Sequence, residues 1–220
     1  LRAAGVQAGA TQVVGRSVDG FTVGFPTDVA LDGRESMVVV GMNGEPLPAE
    51  HGFPARLIVP GLYGYVSATK WLGEIELTTL EGFDAYWVTP RRGWAKEGPI
   101  KLQSRIDVPK KGGTLGAGNV RVAGVAWGGL RGVSGVQLRA VDLGAGAPPP
   151  DEGWIDGHLS EELSDSSWRQ WVVDWPATSG RYELQVRAID RSGAVQTSQV
   201  RSKFPDGATG HHKIRVTVTA

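Results

Sequence analysis

The residues whose types and spacing could do chemistry lie between positions 51 and 70. HGFPARLIVPGLYGYVSATK holds His51, Arg56, Ser67, Thr69 and Lys70 in a run otherwise made mostly of apolar residues and glycine. Two cations, two aliphatic hydroxyls and a histidine suit a phosphate-bearing ligand. Its roughly two negative charges call for ammonium and guanidinium donors, and its other oxygens for hydroxyl and backbone N–H groups. Glycines at 52, 61 and 64 would let the backbone come close to such a ligand. The same pattern is met by separate surface cations flanking a core segment, so it points to a bound anion without naming it.

The other candidates read more plainly. His211 and His212 are neighbours on an expected strand and so point to opposite faces, which keeps them from gripping one metal ion; a solvated strand start is expected. His158, in a polar loop, takes the same reading. Trp168, Trp171 and Trp175 in WRQWVVDW could stack a sugar, but 171 and 175 share a strand face and are assigned to a core. The chain carries no Ser/His/Asp set, Walker loop or dinucleotide fingerprint. No catalytic residue and no metal ligand is assigned within it.

These groups must be positioned by a chain of strands and turns. The 220 residues include 32 Gly and 13 Pro between alternating apolar stretches, the composition of a β-rich protein. TQVVGRSVDGFTVGFP reads as two strands joined at Asp19-Gly20. SMVVVGMNGEPLP reads as a buried strand and then an Asn43-Gly44 turn, and ARLIVPG as a short strand stopped at Pro60-Gly61. TKWLGEIELTTLE alternates, with Trp71, Gly73 and Ile75 on one face and Leu72, Glu74 and Glu76 on the other. LRAAGVQAGA reads as the end of a helix running into a loop. From about residue 98, six or seven short strands with regular turn signals predict an antiparallel sandwich of immunoglobulin type. The boundary is expected near 92 to 99. GAGAPPPDEG is expected to be a surface loop stiffened by its prolines.

The 23 basic and 23 acidic side chains balance, which provides no field for attracting nucleic acid or an anionic membrane. The absence of cysteine excludes disulfides and thiolate ligands within these residues. A chain opening on LRAAGV, without methionine, is expected to be a processed product or a piece of something longer.

The segment PLPAEHGFPARLIVPGLYGYVSATKWLGEIEL resembles the molybdenum-cofactor segment of the sulfite oxidase family, PLP-x-x-HG-x-P-x-R-x-x-x-PG-x-x-G followed by KWL-x-x-I. VRVAGVAWGGLRGVSGVQLRAVD, SSWRQWVVDW and VRAIDRSGAVQ resemble strands of that family's immunoglobulin-like dimerisation domain. The resemblance implies a mainly β chain: the C-terminal part of an α+β molybdopterin-binding domain over 1–95, then an immunoglobulin-like antiparallel β-sandwich over 96–220. It implies that His51, Arg56, Ser67, Thr69 and Lys70 hold a molybdenum–molybdopterin cofactor through its phosphate and pterin end. It further implies that Arg131, in the Gly-rich turn WGGLR, reaches an anionic substrate. Arg91 or Arg92, in YWVTPRRGW, falls nearest the place of the family's substrate tyrosine, a departure that bears on sulfite as substrate.

The family's metal also takes one cysteine thiolate, a soft ligand. Since this chain has none, it is expected to be the C-terminal part of a larger oxidoreductase whose N-terminal half completes the cofactor domain. Expected partners are that half, a small anionic substrate and a second copy of the chain through the sandwich; nucleic acid is not among them. Bacterial members with similar segments imply an exported or membrane-anchored protein with an extracytoplasmic catalytic domain. The rival reading is a non-catalytic binding or dimerisation module built on the sandwich.

Overall fold

In the computed structural model, which describes residues 1, 3, 5–146, 148–164 and 166–220, the chain forms two compact units. The first comprises Leu1–Ile100 with Ser202–Gly207, the second Lys101–Arg201 with Ala208–Ala220.

In the first unit β1 (Gln12–Ser17) pairs antiparallel with β2 (Thr22–Pro26) and β7 (Leu72–Thr78) in a three-stranded sheet. The β1–β2 hairpin turns at Asp19-Gly20, where Gly20 takes φ 88° and the Asp19 carboxylate accepts the Phe21 N–H. The helical elements that position the site are α1 (Thr27–Leu31), α2 (Gly64–Ser67) and a 3-10 turn at Ala49–His51. The core of this unit is Val13, Val23, Phe25, Leu57, Val59, Leu62 and Val66.

Two expectations for this unit need correction. The SMVVV stretch is not a buried strand: among the described residues β3 (Met37–Val39) pairs only with β6 (Arg56–Ile58), and Val38 and Val40 are 50% and 65% exposed. Hydrophobicity there marked an exposed surface, not a core. Asn43-Gly44 does make the turn between β4 (Gly41–Met42) and β5 (Glu45–Pro46), both residues at positive φ. The alternation through β7 is also broken. The β1–β7 register shifts at Arg16/Ser17, so Leu72 packs on the same core as Ile75 and Leu77 instead of facing away from them. The helix end expected over 1–10 falls partly on Arg2 and Ala4, outside the described residues; 5–10 is loop and turn.

The second unit is a β-sandwich. One sheet runs β13 (His158–Leu159), β14 (Arg169–Ala177), β10 (Gly118–Trp127), β8 (Gln103–Val108). The other runs β12 (Trp154–Asp156), β11 (Val133–Asp142), β15 (Gly180–Asp190), β16 (His212–Thr219), β9 (Thr114–Gly116). Alternation puts Val136, Leu138, Leu184, Val186, Ile214 and Val216 inward from one sheet and Val122, Trp171, Val173 and Trp175 inward from the other. Trp171 and Trp175 are thus core, and Trp168 is exposed. The strands are antiparallel except β9, which runs parallel to β16. β9, β12 and β13 are two or three residues long, too short to register as a periodic pattern in the sequence. Neither terminal histidine is solvated: both are half-buried, His211 Nε2 donating to Gln196 O at 3.0 Å and His212 Nδ1 accepting the Ile106 N–H at 3.1 Å.

Candidate functional site

The 49–72 segment is organised around one close approach of two backbones. Gly52 ends the 3-10 turn at φ 106°, and an added Cβ there would lie 2.9 Å from Lys70 Cβ and 3.0 Å from Lys70 Cα. Only glycine fits both the conformation and the space. That approach lets the Trp71 N–H donate to Gly52 O at 3.3 Å, and two bonds between Leu57 and Thr69 continue the pairing along the segment.

The turn presents three carbonyls in succession, and each accepts from a different side chain. Ala49 O accepts from Trp71 Nε1 at 2.8 Å, Glu50 O from Lys70 Nζ at 2.8 Å, and His51 O from Arg56 Nη1 at 3.2 Å. Carbonyls at a helix end carry partial negative charge, so two cations and an indole N–H suit them. Both cations therefore sit on one side of the turn, and with Ala68, Trp71, Ser17, Asp19 and Phe21 they line a cavity of about 250 Å³. Arg56 Nε is buried and has no partner among the described residues. Trp71 holds φ 48°, a left-handed conformation that costs a bulky residue on the order of 1–3 kcal/mol. Its N–H, its indole and its carbonyl, which accepts the Val18 N–H at 3.0 Å, hold it there.

The acid at the cavity rim is Asp19. The Phe21 N–H, then the Ser17 hydroxyl, hold its carboxyl below the usual range, so it stays ionised beside the two cations. Lining charges thus come to two positive and one negative, with the negative one exposed.

The structure brings Arg56 and Lys70 together and places the other candidates elsewhere. His51 contributes its carbonyl, while its ring faces Glu50 at 3.8 Å. Ser67 is buried at the end of α2, its hydroxyl donating to Tyr63 O at 3.0 Å. Thr69 is fully buried, and its hydroxyl lies against Gly15 on β1. Arg92 stacks on the Tyr86 ring at 3.6 Å and donates to Tyr86 O, and Arg91 is exposed; neither lines the cavity. Of the glycines, Gly52 is required by space, whereas a Cβ on Gly64 would meet only Ala68 at an ordinary 3.7 Å. Asp19 and Phe21 were not legible as site residues, because a hairpin tip far away in sequence carries no local sign of its tertiary neighbour.

In the second unit Arg131 ends a 3-10 turn at Gly129–Arg131 and is 65% exposed. Its Nε lies 2.7 Å from Oδ2 of Asp190, a fully buried carboxylate. The other oxygen of Asp190 accepts the N–H and hydroxyl of Ser192 and the N–H of Ala194. These bonds, the Ser192 hydroxyl first, hold the Asp190 carboxyl below the usual carboxylate range despite burial. Nη1 and Nη2 of Arg131 have no hydrogen-bond partner among the described residues.

Residues 1–87 match the family model of the oxidoreductase molybdopterin binding domain. The chain is 32% identical over 195 residues to human mitochondrial sulfite oxidase, a match covering 80% of this chain and 35% of that protein. It is 39% identical over 95 residues to the uncharacterized oxidoreductase YuiH of Bacillus subtilis, covering 43% of this chain and 46% of YuiH. The sulfane dehydrogenase SoxCD of Paracoccus pantotrophus superposes with a TM-score of 0.72 at 20% identity, over 99% of this chain and 57% of that one. The chain thus spans about a third of the human relative's length.

Proposed function

The chain belongs to the sulfite oxidase family of molybdopterin oxidoreductases, and from that premise we propose that its first unit holds the phosphate and pterin end of a molybdopterin cofactor at Arg56 and Lys70. One observation carries this reading: two cations gathered by the 49–51 carbonyls on a cavity, one of them with a buried, unpartnered Nε. The donor set fits the group. A guanidinium and an ammonium serve a phosphate, and the indole of Trp71 offers an apolar wall for a planar ring. His51 is proposed to assist from the rim of the turn, and Ser67 and Thr69 to act by fixing the 67–70 backbone. No cysteine occurs among the 220 residues, so no metal ligand is assigned within them.

When bound, the cofactor supplies oxygen-atom or electron transfer chemistry. The chain's own part is to bind the cofactor's anionic end, exclude water around it and orient it. We propose that the whole enzyme acts on a small anionic substrate and that Arg131 binds it. Its Nε side is fixed by Asp190, which leaves the rest of the guanidinium fork for an oxyanion. Arg91 and Arg92 are proposed as further substrate contacts, Arg91 as the exposed one of the two. Assembly of two copies through the sandwich belongs to the same proposal.

The test is cofactor content. Protein produced in a host that makes molybdopterin should contain pterin, and Arg56→Met should lose most of it while keeping its melting temperature within a few degrees. Equal pterin in parent and variant would overturn the assignment.

A further inference from the structure

A second cluster of cations lies on the sandwich, on the face of the β12-β11-β15-β16 sheet that points away from the core. Register sets it: Trp154 pairs with Arg139, Arg139 with Gln185, and Gln185 with Lys213, one row across four strands. Arg187 stands in the next row, opposite Gln137, which accepts from its Nε at 2.7 Å. His211 precedes β16 and meets the Trp154 ring edge-on at 5.4 Å. With Asp151 from the proline-rich loop, these side chains line a cavity of about 770 Å³.

The cluster is short of negative charge. Asp151 is the single acid on the lining, against Arg139, Arg187 and Lys213. Glu183, outside the lining, is 3.8 Å from Lys213 and 3.4 Å from Arg215, so it serves two cations. Asp156 accepts from Gln137. Arg139 is only 6% exposed; its Nη groups donate to the carbonyls of Pro150 and Pro148, and its buried Nε has no partner among the described residues. Burying Arg139 with the half-buried Arg187 beside it is costly unless an anion joins them; Lys213, at the exposed edge, adds a third positive charge. The cations are partly sheltered by Trp154, with Arg187 4.0 Å and Arg139 5.9 Å from its ring centre. A ring face offers partial negative charge but no hydrogen-bond acceptor in the plane of a guanidinium.

We propose that this cleft binds a sulfate- or phosphate-type oxyanion of two or more negative charges, held by Arg139, Arg187 and Lys213. The cleft is independent of the cofactor reading and uses none of its residues. Its volume exceeds a single tetrahedral oxyanion and leaves room for a small organic body stacked on Trp154. His211 reports on it. Burial, then Arg187, Lys213 and Arg139, hold its imidazole below the ordinary value, while the Gln196 carbonyl opposes them. Nε2 carries the proton, because Gln196 O can only accept. An anion seated among the same cations would reverse their effect on the ring.

The experiment is a proton NMR titration of the four histidines, with His211 assigned by His211→Gln. It is run at constant ionic strength in chloride, then with inorganic phosphate, pyrophosphate and a nucleoside monophosphate. Saturable binding by these oxyanions should raise the His211 midpoint by about one pH unit. Lys213→Gln and Arg187→Gln should each weaken that binding at least tenfold, while Arg121→Gln, on the other sheet, should not. A tighter nucleoside monophosphate than inorganic phosphate would place the oxyanion on an organic carrier; the reverse would make it a free ion, and both support the proposal. It is overturned if His211 responds to the oxyanions no more than to chloride. It is equally overturned if the cleft variants bind as the parent does, or if an acidic hexapeptide shifts His211 and the oxyanions do not.

Discussion

Gly52 and Lys70 touch through their backbones, with no room for a single added methyl between them. This contact decides the site, because it carries the 49–51 carbonyls to the side chains of Arg56, Lys70 and Trp71. Gly52→Ala is therefore expected to be costly twice over. The φ of 106° alone should cost about 1–3 kcal/mol, and the clash falls on Lys70 Cα and Cβ, which cannot rotate away. Thermal unfolding should show a loss of several degrees, at roughly 2–4 °C per kcal/mol for a chain of this size. Gly64→Ala, where the added atom meets open space and Ala68, should leave the transition within about 2 °C of the parent.

Arg131→Gln should act mainly on substrate, with a smaller effect on stability. Its side chain is 65% exposed, but it is the cation beside the buried Asp190 Oδ2, so the melting temperature should fall modestly and the kinetics are compared well below it. Loss of one charged hydrogen-bonding fork should lower kcat/KM for an anionic substrate by about 1.5–3 kcal/mol, mostly through KM. An unchanged kcat/KM, or a loss accounted for by missing cofactor, would reduce Arg131 to a turn residue.

Asp190 supplies an acid-sensitive term. Its folded carboxyl lies below the ordinary 3.8, so the stabilisation is fully present above about pH 3.8 and is lost as pH falls through the folded value. Asp190→Asn should lower stability at neutral pH and flatten the dependence of the urea midpoint on pH below about 3.8. Parallel curves for parent and variant in that range would show that the carboxylate contributes no such term.

The exposed apolar edge of the first unit should self-associate. Met37, Val38, Val40 and Met42 are 42–65% exposed beside a cavity of about 470 Å³ lined in part by Val13, Phe25 and Leu57. Unpaired strand edges with apolar side chains favour such contacts. Val40→Lys should reduce the light-scattering mass at high concentration or shift its concentration dependence; an identical profile would exclude this edge as the contact.

Much of this was legible in the sequence because its signals are local. Asp19-Gly20 and Asn43-Gly44 mark turns by backbone preference, and the long strands β10, β11, β14, β15 and β16 show period-two alternation. Arg56 and Lys70 stood out as cations in an apolar run. What was hidden depends on tertiary partners. The bulge at Arg16/Ser17 that turns Leu72 inward is a property of strand pairing, and the internal use of the Ser67 hydroxyl depends on α2 forming. The cation cluster across β11, β15 and β16 could not be read at all, since Arg139, Arg187 and Lys213 lie 26 to 74 positions apart and meet only through register.

The central claim is that Arg56 and Lys70 recognise the anionic end of a pterin cofactor. It is tested most directly by calorimetric titration of the chain with a phosphorylated side-chain pterin and with the same pterin lacking the phosphate. Lys70→Met serves as control, since it keeps the stem packed on Gly52 and removes the ammonium together with its bond to Glu50 O. The account predicts that the phosphorylated form binds at least tenfold more tightly and that Lys70→Met abolishes most of that difference. Equal affinity for the two pterins, or no binding of either, would contradict it.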